Sequence, residues 1–163
     1  MLAYLVEDPN SSCIELLRLC CQYADAFSLT KNRWKDTDES NRIFDALSPY
    51  LTTTIQTCHW FCNYVPENNP LEVQLYRVNE QSMKIVCTEY DRLFSECTFL
   101  NKPEDVCFFA DGKLLMGTVL HEKICFVYEE NESFVSLLKQ AGQWEYQIDK
   151  ADEQIVIHRI GSE

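Results

Sequence analysis

Nine cysteines and three histidines carry most of the reactive side chains of this 163-residue chain. Metal binding and thiol chemistry are therefore the first readings to weigh. Cys58-His59-x-x-Cys62 offers thiolate and imidazole, the ligands zinc prefers, but a structural zinc takes four ligands and no second pair follows at suitable spacing. The preferred reading is a buried Cys/aromatic cluster with Trp60 and Phe61. His121-Glu122-Lys123-Ile124-Cys125 begins like a metalloprotease helix, yet Cys stands where the second His belongs. Those residues also fall in a predicted hairpin, so His121 and Glu122 read as surface turn residues. The four glycines, at positions 112, 117, 142 and 161, are too dispersed to cradle a phosphate or dinucleotide. No Gly-x-Ser-x-Gly elbow occurs. A cysteine nucleophile with His121 or His158 as base stays open, because such partners meet in space rather than in sequence. A small cysteine-dependent enzyme or thiol-reactive protein is accordingly the alternative function. No catalytic residue, metal or cofactor is expected.

Charge is the more unusual property. Twenty-six Asp and Glu outweigh fourteen Lys and Arg, giving a net charge of −12. A surface this acidic repels a phosphate backbone, which argues against nucleic-acid binding. Solubility needs only a net charge of roughly 2–8 in magnitude, and the excess points to a basic partner. The acidic residues gather at Asp36, Asp38 and Glu39, at Glu129, Glu130 and Glu132, and at Asp149, Asp152 and Glu153. Each group sits in a predicted loop or helix start, where carboxylates also serve solubility and the helix dipole. Trp34, beside Asp36 and Asp38 in a polar stretch, is the natural aromatic anchor. The candidate partner-binding residues are therefore Trp34, Asp36, Asp38 and Glu39, followed by Glu129, Glu130 and Glu132.

The elements that must position these groups follow from periodicity. Ser12-x-x-Glu15 has capping-box form, and Cys13, Leu16, Leu17, Cys20, Ala24 and Phe27 recur at helical spacing behind it, predicting a helix over 12–27. Lys31 to Ser40 reads as a loop, and a second helix runs over 39–47 until Pro49 stops it. The β-branched stretch 52–57 suits a strand that continues toward Trp60. A loop at 66–70 precedes an alternating strand over 71–76. Met83, Val86, Cys87, Tyr90, Leu93 or Phe94, and Cys97 predict a third helix over 80–97, capped by Asn79. Val106 to Ala110 is a continuous apolar run, and Asp111-Gly112 then demands a tight hairpin. Strands over 113–120 and 123–128 complete a three-stranded meander. A helix over 131–141 and strands over 144–148 and 155–160 end the chain. The order is ααββαβββαββ in a single domain, 1–163. Such mixing of helices with runs of strands implies an α+β fold, a mainly antiparallel sheet flanked by three to four helices.

The cysteines fit that core. Cys13, Cys20, Cys87 and Cys97 lie on apolar helical stripes, as reduced thiols packed like small apolar side chains would. The first residues lack the basic start of a secretory signal, and no apolar run reaches the ~18 residues of a membrane span. A cytoplasmic protein with free thiols and no membrane contact is expected. Tyr90-Asp91-Arg92-Leu93-Phe94, Lys102-Pro103-Glu104-Asp105-Val106-Cys107-Phe108-Phe109, Asp111-Gly112-Lys113 through Gly117-Thr118, and His121-Glu122 together resemble small bacterial immunity proteins of polymorphic-toxin and contact-dependent-inhibition systems. The resemblance covers about residues 80–140. It implies a stoichiometric inhibitor that binds a cognate, basic toxin domain and mimics its phosphate substrate.

Overall fold

Main-chain pairing gathers eight strands into one sheet and leaves two for a small hairpin lying across it. The structure, a computed structural model, describes residues 2–5, 13–32, 35–90, 92–94, 100–128, 132–146 and 157. The strands are β1 (Leu2–Leu5), β2 (Ala26–Thr30), β3 (Leu51–Thr57), β4 (His59–Trp60), β5 (Asn63–Tyr64), β6 (Leu71–Arg77), β7 (Glu104–Ala110), β8 (Lys113–Val119), β9 (Ile124–Val127) and β10 (Gln143–Tyr146). Four α-helices occur among the described residues: α1 (Ile14–Tyr23), α2 (Asp38–Leu47), α3 (Glu80–Glu89) and α4 (Glu132–Gln140). The sheet order is β10-β1-β9-β8-β7-β2-β6-β3, and every pairing is antiparallel. The fold is thus α+β with an antiparallel sheet, as expected. Its element order roughly matches the predicted one, with β1 and β2 added and the β4–β5 hairpin resolved from β3, while the predicted closing strand over 155–160 lies outside the described residues except for Ile157.

Sheet alternation sends side chains to two faces. Phe27 and Leu29 of β2, Val106 and Phe108 of β7, and Met116 of β8 join Leu16, Leu17, Cys20, Ile43, Leu47, Val86, Phe134 and Leu138 in one core beneath all four helices. On the opposite face Leu71, Val73, Leu75, Cys107, Phe109 and Leu114 pack under Trp60 and Phe61 of the β4–β5 hairpin. A central strand covered on both faces reads as an unbroken apolar run, which is why Val106 to Ala110 lacks alternation.

The Asp111-Gly112 turn forms as expected, with φ of 49° and 76°. Of the predicted strand over 155–160 only Ile157 is described, and its N–H donates to the Gly112 carbonyl at 2.7 Å. Two helices are shorter than predicted. α1 ends at Tyr23, and Phe27 belongs to β2, yet it enters the same core that a helical Phe27 would. α3 ends at Glu89 because the Tyr90 ring turns into the core and its hydroxyl donates to the Pro103 carbonyl at 2.9 Å. Leu93 and Phe94 still bury beside it from a turn, so their periodicity reflects a shared core and not a continuing helix. Cys97 lies outside the described residues, as do the acidic groups at 149, 152 and 153. No described helix is long and apolar enough to cross a membrane.

Candidate functional site

The acidic candidates divide by position. Thr37 caps α2, its hydroxyl accepting from the Ser40 N–H at 3.1 Å, and this places Asp36 just before the helix and Asp38 and Glu39 in its first turn. Asp36 and Asp38 are exposed. Asp36 accepts from the Asn41 amide at 2.8 Å, an uncharged donor that leaves its charge unneutralised. Two of the cations nearby are engaged elsewhere, while Lys35 adjoins Asp36 and is exposed. Arg42 forks onto both carboxylate oxygens of Glu89, at 2.8 and 2.9 Å, and holds Glu89 below the usual carboxylate range. Lys102 donates to the Glu89 carbonyl and reaches Glu39 at 4.0 Å. Among the described residues neither Asp36 nor Asp38 has an ion-pair partner. Glu132 begins α4 and is exposed. Helix contacts run α2 to α3, α3 to α1 and α1 to α4, so Glu132 stands at the far end of the helical layer from Asp36, Asp38 and Glu39. Trp34, Glu129 and Glu130 lie outside the described residues.

A second acidic group is internal and was not expected from the sequence. Glu104 and Asp105, at the start of β7, are 4% and 1% exposed. The β2–β7 register shifts between Ser28 and Thr30, and Asp105 takes the left-handed conformation, φ 53°, as the extra residue of a bulge does. The Asn63 amide donates to Asp105 at 3.1 Å and the Leu120 N–H at 3.3 Å, while Asn32 donates to Glu104 at 3.0 Å. Burial pushes the Asp105 carboxyl up, against these hydrogen bonds and the nearby His121. Ligand atoms of Glu104, Asp105 and His121 lie within 4.8 Å of one another. Two buried carboxylates beside an imidazole can share a proton or present oxygen and nitrogen donors to a hard cation. The sequence signal was a pair of acids opening an apolar strand: alternation and the bulge together must turn both inward.

The Cys58-His59-x-x-Cys62 segment builds the lid of the sheet. Trp60 and Phe61 are buried, and the Trp60 indole donates to the Ser28 hydroxyl at 3.2 Å. The His59 ring stacks on Tyr64 with centroids 4.1 Å apart, and its Nε2 lies 2.6 Å from the Phe61 carbonyl oxygen. That contact turns the imidazole to the hairpin backbone. His121 and Glu122 occupy an exposed 3-10 turn, 3.8 Å apart, as expected of surface turn residues.

The eight described cysteines are free thiols. Cys13, Cys20, Cys107 and Cys125 are buried, in line with a packing role. Cys87 departs from that reading. It is half-buried and, with Cys21, lines a groove of about 1010 Å³ between α1 and α3. Cys21 and Cys87 hydrogen-bond through their sulfurs, and Arg18 stands close enough to act on Cys87. The signal in the sequence was faint: Cys21 follows Arg18 by one helical turn, but its thiol partner lies on another helix.

Comparison with protein-family models, with curated proteins and with solved structures finds no match.

Proposed function

We propose that this chain is an acidic protein-binding domain of the immunity type, which acts in the cytosol by neutralising a basic toxin domain. One observation carries the reading: on a chain of net charge −12, the carboxylates of Asp36 and Asp38 project at the edge of α2 with no cation among the described residues paired to them. Unpaired carboxylates at an exposed helix start create a field that a basic surface can follow inward. Helix capping alone also favours acids there, since a negative charge at the first turn stabilises a helix by ~0.3–1 kcal/mol. That purpose does not require Asp36, which precedes the helix, nor the large net excess of charge.

Binding of this kind divides labour between charge and burial. Rim carboxylates speed encounter, and desolvated anchors hold the complex. The test is association with the product of the neighbouring gene, measured by surface plasmon resonance at low salt. The triple variant Asp36→Lys, Asp38→Lys, Glu39→Lys should slow association about tenfold, with a much smaller change in dissociation rate. An unchanged association rate removes the α2 edge from the interface. Absence of any complex with that product, at micromolar concentrations of both, overturns the reading.

A further inference from the structure

In the groove between α1 and α3 two half-buried thiols, Cys21 and Cys87, meet. Ile14, Arg18 and Cys21 line it from α1, and Met83, Lys84 and Cys87 from α3. Both sulfurs are half-buried, so a small reagent can reach them. The walls are apolar at Ile14 and Met83, and the charged lining residues are Arg18 and Lys84 with one carboxylate, Glu80, so that cations outnumber anions there by two to one. Neither Arg18 nor Lys84 has an ion-pair partner among the described residues. On a chain so acidic, a concave site whose lining is net cationic and holds two adjacent thiols stands against the overall charge of −12.

We propose that Cys21 and Cys87 form a thiol–disulfide exchange site, whose substrate is a small disulfide carrying carboxylates, with Cys87 attacking and Cys21 resolving. Arg18 and Lys84 receive the carboxylates of the incoming molecule. The Cys87 thiolate attacks one sulfur of the small disulfide. The reagent's S–S bond breaks, and the first small thiolate leaves and takes a proton from water. Cys21 then gives its proton to water and attacks the Cys87 sulfur of the mixed disulfide. The Cys21–Cys87 bond forms as the second small thiol departs. The protein dithiol is oxidised by two electrons, and the small disulfide is reduced to two thiols.

The division of roles follows from the pair's hydrogen bond. The Cys21 thiol donates to Cys87 and, helped by Arg18, brings the Cys87 thiol down to about 7 from an ordinary 9.0, although burial opposes this. The same interaction pushes Cys21 up, which keeps it protonated until Cys87 has reacted. A lowered thiol is thiolate to a greater extent at neutral pH than an ordinary one, a gain that exceeds the accompanying loss of intrinsic nucleophilicity. Charge attraction at the groove rim adds to it.

The test uses the full chain with oxidised glutathione as probe, followed by alkylation of remaining thiols and peptide mapping. Cys21 and Cys87 should be lost together into one internal disulfide, which dithiothreitol reverses, while Cys58 and Cys62 react several-fold more slowly. The rate should rise with pH around a midpoint of about 7. Cystamine, a disulfide with amines in place of carboxylates, should react more slowly than oxidised glutathione. In Cys21→Ser the reaction should stop at a mixed disulfide on Cys87, and in Cys87→Ser the remaining Cys21 should be spared. Mapping of the unmutated chain decides the matter even if a variant misfolds. Loss of Cys58 or Cys62 first, or a mixed disulfide on Cys87 that never resolves in the unmutated chain, overturns the proposal. A faster reaction with cystamine than with oxidised glutathione overturns the substrate class.

Discussion

Asp105 shows how much one buried carboxylate constrains. It adopts a positive φ that costs most residues about 1–3 kcal/mol and Asp somewhat less, and it is 1% exposed. Three donors or charges favour its ionised form, from Asn63, Leu120 and His121, but burial outweighs them and the carboxyl is pushed up from its ordinary 3.8. A raised carboxyl means that the folded protein holds a proton the unfolded chain has released. The contribution of Asp105 is therefore fully present below pH 3.8 and is lost as pH rises through its folded value. Asp105→Asn cannot ionise and escapes that loss. The stability of this variant relative to the unmutated chain should improve as pH rises from about 3.8 and then level off. Urea midpoints across that range check it, at low protein concentration because the isoelectric point, 4.6, falls within it. A stability difference independent of pH would mean that Asp105 ionises as freely in the fold as in the unfolded chain.

At the scale of elements, the closest fit is between β8 and the β4–β5 hairpin. Phe61 is fully buried at φ 51°, with its ring lying over Gly117. A Cβ at position 117 would stand 2.7 Å from two ring carbons of Phe61, closer than carbon atoms tolerate. The ring has no free direction in which to retreat, because Phe126 and Tyr128 meet it edge-on with centroids at 6.1 and 6.3 Å. Gly117→Ala should destabilise the protein by about 1–3 kcal/mol through overpacking, read as a lower urea midpoint with unchanged slope. Phe61→Leu in the same background should recover part of the loss. If Gly117→Ala is neutral, the hairpin does not press on the sheet. The same elements explain what periodicity misread. β2 has polar Ser28 and Thr30 on the hairpin face and Phe27 and Leu29 on the helical face, so neither an apolar run nor a polar outer face marked it as a strand.

Across the whole molecule, charge is the property that no single element displays. The field of twelve excess negative charges acts over the Debye length, about 10 Å at 0.1 M salt and 3 Å at 1 M. Capture of a basic partner should therefore slow as salt screens that field. Between 0.05 and 0.5 M sodium chloride the association rate should fall by at least about tenfold, while dissociation changes far less. Stopped-flow mixing at a series of salt concentrations measures both. A flat dependence would show that the acidic surface does not steer the encounter, whatever else holds the complex. The thiol groove answers to different chemistry, and its reaction with a small disulfide can be followed without any partner present.

Local chemistry was legible without the fold. The Asp111-Gly112 turn needs two residues at positive φ, Asn79 can cap only a helix that starts beside it, and Pro49 ends α2 whatever surrounds it. The fold class and the 105–128 meander followed from such signals, because each depends on neighbours a few residues away. The ends of α1 and α3 did not, since Phe27, Leu93 and Phe94 enter one common core from a strand or a turn and imitate a helical stripe. The candidate sites divide the same way. The exposed acids at 36 and 38, and the half-buried one at 39, could be picked out in the sequence, as surface charge needs no partner to exist. The Glu104–Asp105–His121 group and the Cys21–Cys87 pair could not. His121 follows the adjacent Glu104 and Asp105 by at least 16 residues, and Cys87 follows Cys21 by 66; only the packing of β7 against the turn after β8, and of α1 against α3, brings their atoms within reach.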